Sequence, residues 1–239
     1  MKNAFFFILI IVLLFFIAPL LIAGYFGFVP VLSSIMGADK PKDLGIKVTT
    51  QNYKEGLKKL GMKVETKKTL PGSAMQKHTG SHMVDAVFTQ EEITAMSKRR
   101  RPDFPFFNPQ IKINPDNSFE VSTIFKIDAA ITYLTRMGIS QEKIDSAFST
   151  MNLPKMNFPL YLKSTGSITN NEINTRIQSL QVGRFSVPHA MVAKYNSIFD
   201  TVLTEVMKQD MNSNIISLTI NDGKVYVKGA YPDIEIFVK

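Results

Sequence analysis

The sequence predicts an α+β fold: an N-terminal transmembrane helix, then an antiparallel sheet packed on one long amphipathic helix with short flanking helices. Three observations predict it. No Asp, Glu, Lys or Arg occurs from Asn3 to Ala38. Two hairpin signatures, around Asn114-Pro-Asp-Asn-Ser and Asn221-Asp-Gly, are each flanked by alternating apolar residues, the period of a strand with one buried face. From Met191 to Val206 the apolar residues return at three and four, the period of a helix with one buried face.

The uncharged run comes first. Ala4 to Phe28 is almost entirely Phe, Ile, Leu, Val, Ala and Gly, and about 20 such residues in a helix cross the hydrocarbon core. A cleaved signal peptide has an apolar region of only about 7–15 residues. Leu21-Ile-Ala23 is a poor cleavage site, and without Cys there is no lipid attachment. The expected organisation is an anchor over 1–28 (span near Ala4 to Tyr25), a juxtamembrane linker over 29–48 and a single α+β domain over 49–239. Tyr25, Phe26 and Phe28 suit the aromatic belt, and Pro30 ends the regular helix. Lys40, Lys42 and Lys47 lean toward a cytoplasmic domain. They begin a dozen uncharged residues after the span, and long domains translocate largely regardless of charge. The domain is therefore expected on the extracytoplasmic side of the cell membrane.

Thr49 and Thr50 offer caps for a short helix that ends at Gly61. Lys63 to Gly80 lacks a period and reads as a loop, with one edge strand at Met62 and Val64. Met83 to Phe88 is strand-like. Thr89 with Glu92 makes a capping-box pattern, Ile93 and Met96 face inward, and Lys98 to Arg101 close that helix with cations suited to its dipole. Phe119, Val121, Thr123, Phe125 and Ile127 line one face of the return strand of the first hairpin. Helices follow near Ala129 to Met137 and Gln141 to Met151, then strands at Phe158 to Ser164 and Ile173 to Val182. Pro188 suits the first turn of the long helix, whose opposite side carries Lys194, Asn196, Asp200 and Lys208.

Chemistry-bearing motifs are scarce. Without Cys there are no disulfides and no thiolate chemistry. His78 and His82 form H-x3-H in a segment with no helical pattern, with Asp85 as the sole candidate third ligand, so no metal is expected. His189 reads as a surface residue. Glu91 and Glu92 are adjacent and point apart on a helix. No nucleotide-binding or nucleophile-elbow motif occurs, and the arginines lack interleaved aromatics, which argues against nucleic acid. The expectation is a non-enzyme with no catalytic residues and no cofactor. The net charge of +8 is concentrated: 14 basic and 6 acidic residues lie between Lys40 and Arg101, against 13 of each from Pro102 onward. Lys98, Arg99, Arg100 and Arg101 are the densest cluster, suited to anionic lipid or an anionic wall polymer.

Phe26-Gly-Phe-Val-Pro with Lys40-Pro-Lys-Asp-Leu-Gly-Ile-Lys-Val-Thr, Phe88-Thr-Gln-Glu-Glu-Ile-Thr-Ala-Met, and Ser179-Leu-Gln-Val-Gly-Arg-Phe-Ser-Val-Pro resemble elements of single-span bacterial envelope proteins with a tubular lipid-binding (TULIP-like) domain. The resemblance implies a curved antiparallel sheet wrapping the long helix, and a non-enzymatic role in holding lipid or a similar apolar ligand. Tyr195, Ile198, Phe199 and Val202 share one face of that helix and are the expected groove residues. The alternative is an envelope scaffold with a packed core that binds a protein partner or an anionic polymer.

Overall fold

The computed structural model describes residues 15–70, 76–98, 104–136, 138–151, 156–209 and 214–238. Over them the chain is a mixed α+β fold built on a strongly curved antiparallel half-barrel sheet. Residues 15–26 form helix α1, and Pro30–Ile35 a short α2. Among the described residues no helix is both long and apolar enough to cross a membrane. The first part of the expected anchor, residues 1–14, lies outside them.

Helices α3 (Thr50–Leu60) and α4 (Gln90–Ser97) both start in reciprocal capping boxes, Thr49 with Asn52 and Thr89 with Glu92. Each box satisfies two backbone donors that a bare helix end leaves open. Gly61 ends α3 in the left-handed region at φ 64°. The two helices cross closely at Gly56, where a Cβ would lie 2.8 Å from Met96 Sδ.

The large sheet comprises β3 (His82–Phe88), β4 (Phe106–Ile113), β5 (Phe119–Phe125), β6 (Phe158–Thr169), β7 (Glu172–Val182), β8 (Phe185–Ser186), β9 (Asn214–Asn221) and β10 (Lys224–Tyr231). Its order is β3-β10-β9-β6-β5-β4, with β7 and β8 branching from β6. Strand β6 is the hub. It pairs with β7 from Leu160 to Thr169, with β5 from Phe158 to Ser164, and with β9 only at Ile168 and Thr169. Strands β5 and β9 therefore meet the same side of β6 end to end, and the sheet divides there. A smaller sheet places β11 (Ile234–Val238) between β1 (Lys63–Lys67), parallel to it, and β2 (Gln76–Thr79), antiparallel.

Alternation along the strands sends one set of side chains to the inner, concave face. At one end Phe88, Ile113, Val225 and Val227 are buried against Ile93 and Met96 of α4. At the other, Ile127, Phe158 and Val182 gather Phe125, Leu160 and Val187 with Ile131 of α5 (Ile127–Arg136) and Phe148 of α6 (Gln141–Met151). A third cluster, Leu162 and Ile177, receives Val192 from α7 (His189–Gln209).

Three expectations are corrected. The segment from Lys63 to Gly80 holds not only the expected edge strand near Val64, β1, but a second strand, β2, and both pair with β11. Ile127 begins α5 instead of extending β5; the Lys126 carbonyl already accepts from Ala130 N–H. Strand β6 runs past Ser164 to Thr169 and turns at Asn170 and Asn171, both at positive φ. Residues 41–49, which overlap the expected linker over 29–48, run as an extended strap on the outer face. Leu44 N–H donates to Gln110 Oε1 at 2.9 Å, and Lys42 Nζ lies 3.9 Å from the centre of the Tyr161 ring.

Candidate functional site

Helix α7 is fixed by its polar residues as much as by its apolar ones. Val192, 2 % exposed, plugs the inner-face cluster. Beyond it the helix follows the edge strand β7 in the opposite direction. Asn196 Oδ1 accepts from Ile177 N–H at 2.8 Å, Asp200 Oδ2 from Thr175 N–H at 3.1 Å, and Thr204 Oγ1 from Ile173 N–H at 3.0 Å. Four helical residues rise about 6 Å and two strand residues about 6.6 Å, so the rungs stay in step. Asn196 also donates to Thr175 O at 2.7 Å and to Asp200 at 3.1 Å. The polar side of the periodic pattern thus meets the sheet edge and not solvent alone, a correction for Asn196 and Asp200.

Of the expected groove residues, Phe199 and Val202 are half-buried on α7; Tyr195 and Ile198 belong to the helix, and their side chains lie outside the described atoms. A surface cleft of about 460 Å³ opens at the α7–β7 junction, lined by Glu172, Ile173, Asp200, Thr201, Thr204, Glu205 and Lys208. Six of these seven residues are polar or charged, although the wall they present is largely their aliphatic carbon. The apolar ground lies further in, on the concave face, where Phe119, Val121, Leu180 and Val187 are only partly buried around the Val192 cluster. Aromatic side chains continue it: Phe106 against Phe125 and Phe125 against Phe158, both pairs with ring centres 5.6 Å apart. Helix α6 is tied to α7 by an exposed pair, Lys143 Nζ to Glu205 Oε1 at 2.7 Å.

The basic cluster divides. Lys98 is the half-buried C-cap of α4, while Arg99, Arg100 and Arg101 lie outside the described residues. The two histidines of H-x3-H turn to different carboxylates. His78 Nε2 lies 3.6 Å from Glu235 Oε1. His82 places Nδ1 2.7 Å from Asp233 Oδ1 and Nε2 2.8 Å from Leu60 O. Among the described residues no three His, Asp or Glu side chains gather as a metal requires. His189 stands exposed at the start of α7.

One constellation gave no sequence signal. Under the strap, Tyr161 OH donates to Glu120 Oε2 at 2.8 Å, and Asn114 Nδ2 donates to Glu120 Oε1 at 3.2 Å. Burial opposes ionisation of Glu120, yet the Tyr161 hydroxyl, Asn114, Lys112 and Lys42 together hold its carboxyl below the usual range. Tyr161 is pushed up to about 12 by burial first and by Glu120 second. The phenol stays protonated and donating at neutral pH, and Lys42 of the strap lies over its ring.

Compared with protein-family models, curated proteins and solved structures, the chain matches none.

Proposed function

We propose that the chain is a single-pass membrane protein, anchored by residues 1–28, whose domain on the extracytoplasmic side binds a lipid or another apolar envelope ligand between the concave face of the sheet and α7, without catalysis. The observation that carries this reading is the placement of α7. It rides the edge strand β7, so the concave face beside it keeps several large apolar side chains only partly buried. Partly covered apolar surface facing a concavity is the usual ground for an apolar ligand. The exposed apolar side chains of α1, Phe15, Phe16 and Leu20 among them, support the anchor.

The scaffold reading has its own support. Met83, Ile216 and Tyr226 are exposed on the neighbouring strands β3, β9 and β10, and the basic excess between Lys40 and Arg101 suits an anionic polymer. The deciding test is native mass spectrometry of the detergent-extracted full chain, beside Val121→Trp, which fills the concavity. The expected result is bound lipid in the natural protein and its loss in Val121→Trp at little change in melting temperature. Natural protein that carries no lipid leaves the scaffold reading in place.

A further inference from the structure

Where α1 meets the domain there is no flexible hinge. Leu32 packs so closely on α1 that a Cβ at Gly24 would lie 2.5 Å from Leu32 Cβ, and the buried Ser33 hydroxyl donates to Gly24 O at 3.0 Å. The elbow then abuts the β7–β8 turn backbone to backbone. Arg184 N–H donates to Phe26 O at 3.2 Å, and a Cβ on Gly183 would overlap that same oxygen. Arg184 adds its side chain, donating from Nη2 to Met36 O at 2.7 Å with its guanidinium 4.9 Å from the centre of the Tyr25 ring. Phe26 and Phe185 meet edge to face.

The outer side of this elbow is apolar and uncovered. Val31 is 72 % and Ile35 77 % exposed on α2, with Tyr25 and Phe28 also exposed beside them. Their surface continues that of α1, and in sequence residues 4–14 prolong the same uncharged run. The first cations past the elbow, Lys40 and Lys42, are both exposed. Apolar side chains, then aromatic rings, then cations is the order in which a bilayer presents hydrocarbon, interface and anionic headgroups.

We propose that the α1–α2 elbow is a seat for the phospholipid bilayer, with α2 lying in the interfacial layer through Val31 and Ile35 and Arg184 locking the domain to it. This rests on the anchored reading above and adds that the membrane touches a second, short helix and fixes the tilt of the domain.

The sequence has no Trp, so one introduced indole reports its own surroundings. The full chain is reconstituted in phosphatidylcholine and phosphatidylglycerol vesicles containing lipid brominated at shallow or deep acyl positions, with Val31→Trp, Ile35→Trp, Phe16→Trp or Tyr226→Trp. All four sites are exposed, so each variant should fold, as circular dichroism verifies. The expected result is strong quenching of Val31→Trp and Ile35→Trp by shallow bromines, quenching of Phe16→Trp by deep ones, and none for Tyr226→Trp. Quenching of Phe16→Trp without Val31→Trp or Ile35→Trp overturns the seat and leaves the anchor standing. An unquenched Phe16→Trp overturns both, and equal quenching of Tyr226→Trp overturns the fixed tilt.

Discussion

Two helices close two edges of the same sheet, and they do so with the same device in different surroundings. On β4, Gln90 Oε1 accepts from Ile113 N–H at 3.0 Å, and the Thr94 hydroxyl both accepts from Ile111 N–H at 2.9 Å and donates to Ile111 O at 3.0 Å. On β7, Asn196, Asp200 and Thr204 serve Ile177, Thr175 and Ile173. Both ladders match residues four apart on the helix to residues two apart on the strand, and both deny the edge to another chain. The α4 ladder is neutral and sealed: Thr94 is 0 % exposed and the core of Phe88, Ile113, Val225 and Val227 stands behind it. The α7 ladder is longer, charged and half-exposed, and opens onto the 460 Å³ cleft. The difference teaches that the same backbone-to-side-chain ladder can close an edge inside the core or at the surface.

The sharpest way to break the comparison is Thr94→Val. It keeps the shape and orphans a buried N–H and C=O, each worth about 1–3 kcal/mol. Urea melting should show a global loss of about 2–4 kcal/mol; a loss no larger than that of Asp200→Ala would place the two ladders in one class.

Next is alkaline titration of the sealed end. Tyr231, packed against the Phe88 cluster, is pushed up to about 12 by burial. A folded-state value above the unfolded one of about 10 means the folded chain holds the proton longer. The stabilisation is complete below pH 10 and is lost as pH rises toward 12. Tyr231→Phe should flatten this decline in part, Tyr161 supplying the rest. An unchanged slope in Tyr231→Phe would remove Tyr231 from the account.

At the other edge, Asp200→Ala should cost about 1–2 kcal/mol, read first as faster amide exchange at Thr175, with exchange on β4 unaltered. Coupled acceleration at both edges would show one cooperative unit. Smallest is Lys143→Ala, which removes an exposed pair worth about 0–1 kcal/mol and should leave the melting temperature nearly unchanged.

The Thr89–Glu92 capping box, the Thr49 cap, the hairpin turns and the helix of α7 were legible because each is a local pattern with one physical cause. Asp222 and Gly223 at positive φ are what a two-residue hairpin demands. The ladders were not legible. Asn196 and Asp200 four apart look the same in sequence whether they face water or a strand edge, because their partners are backbone groups. Ile127 continued the alternation of β5, and only the Asp-Ala-Ala after it favoured a helix. Strands β1 and β2 are short and mostly polar, Lys-Val-Glu-Thr-Lys and Gln-Lys-His-Thr, and their pairing partner is remote. Of the site, the helix α7 was readable, but not which of its residues meet the sheet edge. The Lys98 end of the basic run is a cap on α4, a structural role that composition does not distinguish from a binding one.

That remote partner imposes an order of events. Gln76 Nε2 donates to Glu235 Oε1 across 159 residues, and β11 supplies the central strand of the small sheet. While the chain is being made, β1 and β2 emerge early and have nothing to pair with until Ile234 to Val238 arrive. The parallel join of β1 to β11 closes one of the longest loops in the molecule, a slow step in the search for the native state. The small sheet is thus a clasp that cannot fasten before Ile234 to Val238 have been made, and a ribosome stalled anywhere before Ile234 leaves it open.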